Sequence, residues 1–461
     1  MSSADEEVRA SLREHRSAGE VTVAYLERIR ARNEATHAVL TLTEESALRD
    51  AEQVDLSRQQ GRPLPLNGFP IVLKDNIDLA GARSTCGAKF FADRIAETDA
   101  EVVRRLREAG AIVLGKAQTT EFMFALSAHP MYPSCVNPWD STRIAGASSS
   151  GSACAVADDQ ALGALGTDTG GSVRIPASFC GITALRPTHG VISNHGVFPL
   201  ARSLDTVGPM ARRARDVGLL FDAMVGYDPR DSRSVRYLPA LAGANRTRTS
   251  LRIGLPSNFF YDDCDLQVMA AVEAAVEVFT DMGHTVVPLD VPGAPDAHEA
   301  FTFLIRAEAL DIHRDRLAHH PDDFGVAVRQ RLELALELTG ADVAALVERM
   351  HKWRQELATL FTERVDVVMT PTTQCLPPRL EDATFGRLPD VTRLTYPWSY
   401  GHLPAISVPC GFTDESLPIG LQIAGPPHAD WLLIHLAQRY QDVTTWHERR
   451  PGFATPPPNA S

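Results

Sequence analysis

The chain has 461 residues, 44% hydrophobic and 22% charged, an ordinary globular balance with ample material for a large core. Its formal net charge of −13 argues against a nucleic-acid partner and against an anionic membrane. The polar, acidic start MSSADEEVRASLREHRSAGE does not read as a secretory or transit peptide, and no apolar run approaches the ~18 residues of a membrane span. The seven cysteines (Cys86, Cys135, Cys154, Cys180, Cys264, Cys375 and Cys410) are odd in number and lack any C-x-x-C or Cys/His ligand spacing. That pattern fits reduced thiols in a cytoplasmic protein, and it implies no metal.

In chain order, Phe69–Leu73 is an apolar run that reads as a buried strand, with Lys74 directly after it. Thr98-Asp99-Ala100-Glu101 has the spacing of a capping box. Val102, Val103, Leu106 and Ala109 follow at helical spacing, and Gly110 is a C-terminal stop. AIVLGK (111–116) reads as a buried strand. IAGASSSGSACAVA (144–157) is a Gly/Ser turn entering an Ala-rich helix. ALGALGTD (161–168) reads as a strand, TGGS as a tight turn, and RIPASFCG as the helix beyond it. Helix followed by strand recurs at 266–290 and at 342–371. This alternation predicts an α/β fold: a single large α/β/α layered domain around a mixed twisted sheet, spanning 1–450. The 230–345 stretch is more helical and lacks Gly-rich turns, so an insertion or cap is expected there. The Pro-rich end, 451–461, is expected to be a disordered tail.

Three stretches carry chemistry, and none is a G-x-S-x-G elbow, a Walker A loop or a dinucleotide fingerprint. In GFPIVLKDNIDLAG, a lysine drawn into the interior would have its pKa lowered toward that of a general base. In the 144–157 stretch, the Gly/Ser turn opens onto a helix N-terminus. In GTDTGGSVR (166–174), adjacent small residues allow several backbone N–H groups to converge on one developing oxyanion. Each stretch taken alone also reads as ordinary structure: a salt-bridged lysine, a serine-capped turn, a strand-to-helix turn.

Taken together they resemble the amidase signature family, the Ser-cisSer-Lys amidases. GASSSGS followed by GTDTGGSVRIPASFCG is similar to the family's central pattern, and GFPIVLKDNID to its lysine strand. GITALRPTHGVISNHGVFPLARSLDTVGPMAR, LPAISVPCGF and LPIGLQIAGPP extend the likeness over roughly residues 20–450. The resemblance implies Ser172 as nucleophile, Ser148 after a cis peptide as the bridging serine, and Lys74 as the base. It also implies an oxyanion hole built from the backbone of Thr169, Gly170, Gly171 and Ser172. Ala147 and Ser150 depart from the family, which has glycine at the first position and often at the second. A serine hydroxyl needs a base to become a good nucleophile, and a buried neutral lysine reached through a second serine supplies one without histidine.

The activity implied is hydrolysis of the C–N bond of small aryl or apolar amides, with esters and carbamates (urethanes) as further substrates. No cofactor is implied. The expected partner is a small-molecule amide, and a homodimer is left open. Phe122, Met123, Phe124 and Tyr132 are expected to build an apolar acyl pocket. Ser149 is expected beside the substrate, and Trp398 and Tyr400 on the leaving-group side, where His402 replaces a common glycine. Two rival readings stand beside this one. A glutaminase subunit of a tRNA-dependent amidotransferase complex would need partner chains. A non-catalytic anion binder would give no reason to combine Lys74, Ser148 and Ser172.

Overall fold

The structure, a computed structural model, describes residues 17–127, 129–238 and 250–452. Eleven strands form one mixed sheet. In chain order they are β1 (Val39–Leu42), β2 (Pro70–Lys74), β3 (Ile112–Ala117), β4 (Gly163–Asp168), β5 (Thr183–Arg186) and β6 (Thr206–Ala211), then β7 (Arg252–Pro256), β8 (Thr285–Leu289), β9 (Val367–Pro371), β10 (Ala405–Phe412) and β11 (Pro418–Ala424). Across the sheet the order is β1-β3-β2-β4-β6-β5-β10-β11-β9-β7-β8. Pairing is parallel for β2 with β3 and β4, and for β7 with β8 and β9; the other pairs are antiparallel.

The expected α/β layering is present. Val367 and Met369 of β9 enter one hydrophobic core while Val368 between them enters a second, as side chains alternating across a pleat must. One core takes in the helices Ala18–Thr36, Ser150–Ala157 and Asp430–Val443, and the other takes in Ala294–His319 and Gly340–Thr359. Strands β2, β3 and β4 are buried at every position, as a sheet covered on both faces requires.

The 230–345 stretch divides in two. Its β7 and β8 extend the main sheet to one edge, and its helices Ala294–His319 and Val326–Glu333 pack into the second core. Residues 453–461 of the expected tail lie outside the described residues. The capping box expected at Thr98–Glu101 does not form. Helix Glu101–Glu108 starts behind Ala100 without a side-chain cap. Glu101 instead pairs with Arg104, Arg105 and Arg230, three cations that outcompete a backbone amide for its carboxylate. Among the described residues, no helix is long and apolar enough to cross a membrane.

Candidate active site

Lys74 is the last residue of β2, and its neighbour Leu73 pairs in parallel with Leu165 of β4. The side chain is fully buried. Its Nζ lies 2.6 Å from Ser148 Oγ, and it donates to Thr167 Oγ1 at 2.8 Å and to the Thr167 carbonyl at 3.3 Å. Burial pushes the ammonium pKa down to about 7, against the opposing pull of Asp168 and Asp205. A neutral amine has two N–H bonds and one lone pair. The two Thr167 oxygens accept the two N–H bonds, which leaves the lone pair for the Ser148 hydroxyl. Thr167 carries no signal in the sequence. Its position one strand over from Lys74 is visible only once β2 and β4 are paired.

Ser148 follows a cis peptide bond, Ala147–Ser148, at the place the family resemblance implied, and alanine occupies the preceding position. Gly146 before it has φ +106°, and a Cβ there would lie 2.5 Å from Pro176 Cα. The turn is tied to its neighbours: Thr119 Oγ1 donates to the Ser148 carbonyl at 3.0 Å, and the Ser149 N–H donates to the Ser172 carbonyl at 3.2 Å. Ser148 and the half-buried Ser172 line one cavity. Among the described residues, none hydrogen-bonds the Ser172 hydroxyl.

The turn that presents Ser172 is organised by Asp168, the last residue of β4. Its carboxylate accepts from the Gly171 N–H at 2.7 Å and the Val173 N–H at 3.3 Å. It also accepts from Arg174 at 2.9 and 3.0 Å and from Arg186 at 3.1 Å. Burial opposes ionisation here, yet Arg174 and Arg186 outweigh it and hold the carboxyl well below the usual carboxylate range. One of the four N–H groups expected for the oxyanion hole, that of Gly171, is therefore engaged by Asp168. The N–H groups of Thr169, Gly170 and Ser172 have no acceptor among the described residues. Gly171 has φ +122°, and a Cβ on it would collide with Thr395 Oγ1. Thr169 is steadied by donating from its hydroxyl to the buried Asp205, which also accepts from the Leu200 and Ala201 amides.

The cavity beside Ser172 is narrow, about 30 Å³. Met123 and Phe124 line it, as expected of an acyl pocket, together with Leu200, Ile305 and Tyr396. The other expected substrate contacts lie elsewhere. Phe122 is packed on His313 with ring centroids 4.2 Å apart. Tyr132 donates to the Ala88 carbonyl at 3.4 Å, and the Ser149 hydroxyl lies 3.3 Å from the Thr167 backbone. Trp398 is fully buried and stacked on Phe260 at 4.9 Å, and the fully buried Tyr400 donates its hydroxyl to the Leu346 carbonyl. These two rings serve the core, so they do not line the cavity on the leaving-group side expected of them. Of the aromatic residues on their short helix, it is Tyr396 that reaches the cavity.

Arg331 is a further residue that sequence reasoning missed. It is the one charged side chain lining the cavity among the described residues, and it is 3% exposed. Its Nη1 donates to the Phe124 carbonyl at 2.7 Å, and its guanidinium lies 3.6 Å above the Phe124 ring. Its Nε has no partner, and no carboxylate pairs with it among the described residues. Burial pushes its pKa down to about 10, so it stays cationic at neutral pH. The available signal was a basic residue on an apolar helical stripe, three positions after Val328 and beside Leu332.

The family model described as Amidase matches residues 20–434. The chain is 37% identical over 467 residues to a glutamyl-tRNA(Gln) amidotransferase subunit of Dechloromonas aromatica (strain RCB), covering 95% of this chain and 96% of that protein. Among solved structures it is similar to 6-aminohexanoate cyclic dimer hydrolase, at 26% identity and TM-score 0.87 over 98% of both chains. It is also similar to a vestigial protein complex tied to the origins of an s-triazine catabolic enzyme, at 30% identity and TM-score 0.87, covering 96% of this chain and 98% of that one. A buried lysine against a serine, a glycine-rich turn carrying a second serine, and these matches lead to one conclusion: the chain belongs to the amidase signature family and is an amidase acting on carbon–nitrogen bonds other than peptide bonds.

Proposed function

We propose that Ser172 is the nucleophile, Ser148 the proton bridge and Lys74 the base. The observation that carries this reading is the fully buried Lys74 Nζ, 2.6 Å from Ser148 Oγ with its N–H bonds directed to Thr167. Ser172 Oγ forms a bond to the amide carbon as its proton passes to Ser148, whose own proton passes to neutral Lys74. The carbonyl oxygen gains charge and takes hydrogen bonds from the amides of Thr169, Gly170 and Ser172. The lysinium proton returns through Ser148 to the leaving nitrogen, the C–N bond breaks, and water then hydrolyses the acyl-serine by the same relay.

The substrate we propose is a small amide with an apolar body and an anionic group at its far end. Met123, Leu200 and Ile305 suit the body, and Arg331, which no carboxylate neutralises among the described residues, suits a carboxylate. Esters and carbamates of the same shape are further substrates. A second reading, a glutaminase subunit that works with partner chains, is favoured by the likeness to the amidotransferase subunit and by the same Arg331. A cytoplasmic setting with reduced thiols suits both. The test is ammonia release by the purified chain from glutaramate, pentanamide, an aryl amide and glutamine. Release from glutaramate in preference to pentanamide supports the anionic substrate. Release from the neutral amides alone contradicts it. Silence on all four, reversed by partner chains, favours the second reading.

A further inference from the structure

The Glu121 carboxylate is 2% exposed, and both of its oxygens lie 3.0 Å from a single donor, the Gly325 N–H. Gly325 immediately precedes helix Val326–Glu333, the helix that carries Arg331. The first amides of a helix lack internal acceptors, and a carboxyl group there satisfies one of them. A Cβ on Gly325 would lie 2.5 Å from Glu121 Oε2, so the close approach requires glycine.

Two more contacts run beside this one. The Phe122 and Phe324 rings are 5.8 Å apart, and Arg331 is held by the carbonyl and ring of Phe124. Residues 121, 122 and 124 of one segment thus clasp 325, 324 and 331 of another, about two hundred positions away in sequence. Phe122 and Met123 sit at φ +48° and +59°, a left-handed backbone that non-glycine residues adopt when their surroundings impose it. Met123 and Phe124 from one side of the clasp, and Arg331 from the other, line the cavity.

We propose that Glu121 is a positioning residue that sets substrate selectivity by docking the Arg331 helix against the cavity. This rests on the reading of Arg331 as the anchor for an anionic substrate. The carboxylate touches neither Ser172 nor Lys74. Its loss therefore weakens the anchor and leaves the acyl-transfer machinery in place.

The experiment compares kcat and KM for glutaramate and pentanamide in the full-length enzyme, four single variants and one double variant. Arg331→Ala tests the anchor: a selective rise in KM for glutaramate is expected, and no change in selectivity overturns the anchor and this inference with it. Glu121→Ala is expected to raise KM for glutaramate about tenfold, with kcat and the pentanamide constants within about twofold. Glu121→Gln keeps an oxygen acceptor for Gly325 and should restore most of the selectivity. Gly325→Ala, which crowds the carboxylate, should reproduce the Glu121→Ala pattern and keeps the test alive if Glu121→Ala does not fold. In the Arg331→Ala background, Glu121→Ala should add no further loss of selectivity. An equal loss on both amides, or additive effects of the two substitutions, would overturn the positioning role.

Discussion

Lys74 sits where burial and chemistry agree. A charged lysine with no carboxylate in contact is costly in the interior, so the neutral base is the favoured form as pH rises through about 7. We therefore expect kcat/KM to rise about tenfold between pH 6 and pH 8, the change in the neutral fraction of such a base. A flat or falling profile in stopped assays would contradict a lysine base. Stability should follow the same group. Between about 7 and the ordinary lysine value of 10.5 the unfolded chain holds a proton that the folded chain has released. Stability should then rise with pH across that window, and Lys74→Met should remove that part of the slope in urea melts. At this scale the proposed roles of Lys74, Ser148 and Ser172 came from the family resemblance of their three stretches together, since each stretch alone also reads as ordinary structure. Thr167 and Arg331 were not legible in the sequence, because a threonine on a strand and an arginine on a polar-looking helix acquire their meaning from residues far away in the chain.

The turn carrying Ser172, rather than any single residue, decides how its hydroxyl is presented. Asp168 draws Gly171, Val173, Arg174 and Arg186 to one point. Replacing Asp168 by Asn leaves two buried guanidinium groups without their counter-charge. A loss of about 3–5 kcal/mol in urea unfolding is expected, together with loss of turnover. Gly171→Ala demands a side chain at φ +122° against Thr395, so kcat should fall by about 10²-fold or more while KM changes less. The aspartate and arginine of GTDTGGSVR were in view from the outset, but their pairing across the turn was not. Strands and helices with strong periodicity, such as 266–281 and 340–359, were legible because burial repeats along them. The capping box was misread because three arginines compete for Glu101. The leaving-group side expected of Trp398 and Tyr400 does not match the cavity, because aromatic side chains fill cores as readily as they line pockets.

Across the whole molecule, the site lies at the carboxyl ends of β2 and β4, between a sheet covered on both faces and helices returning from far along the chain. Such a site draws its precision from long-range contacts: Lys74 with Thr167, Asp168 with Arg186, Arg331 with Phe124. That is why the alternation of elements disclosed the α/β class while the shape of the cavity stayed out of reach. The most direct test of a serine nucleophile at position 172 is to trap the acyl-enzyme. The purified chain would be mixed with an activated aryl ester of a small acid, quenched in acid, and its peptides weighed. One added acyl group is expected on the peptide containing Ser172, absent in Ser172→Ala and slow to form in Lys74→Ala. An acyl group on another residue, or undiminished turnover by Ser172→Ala, would contradict the assignment.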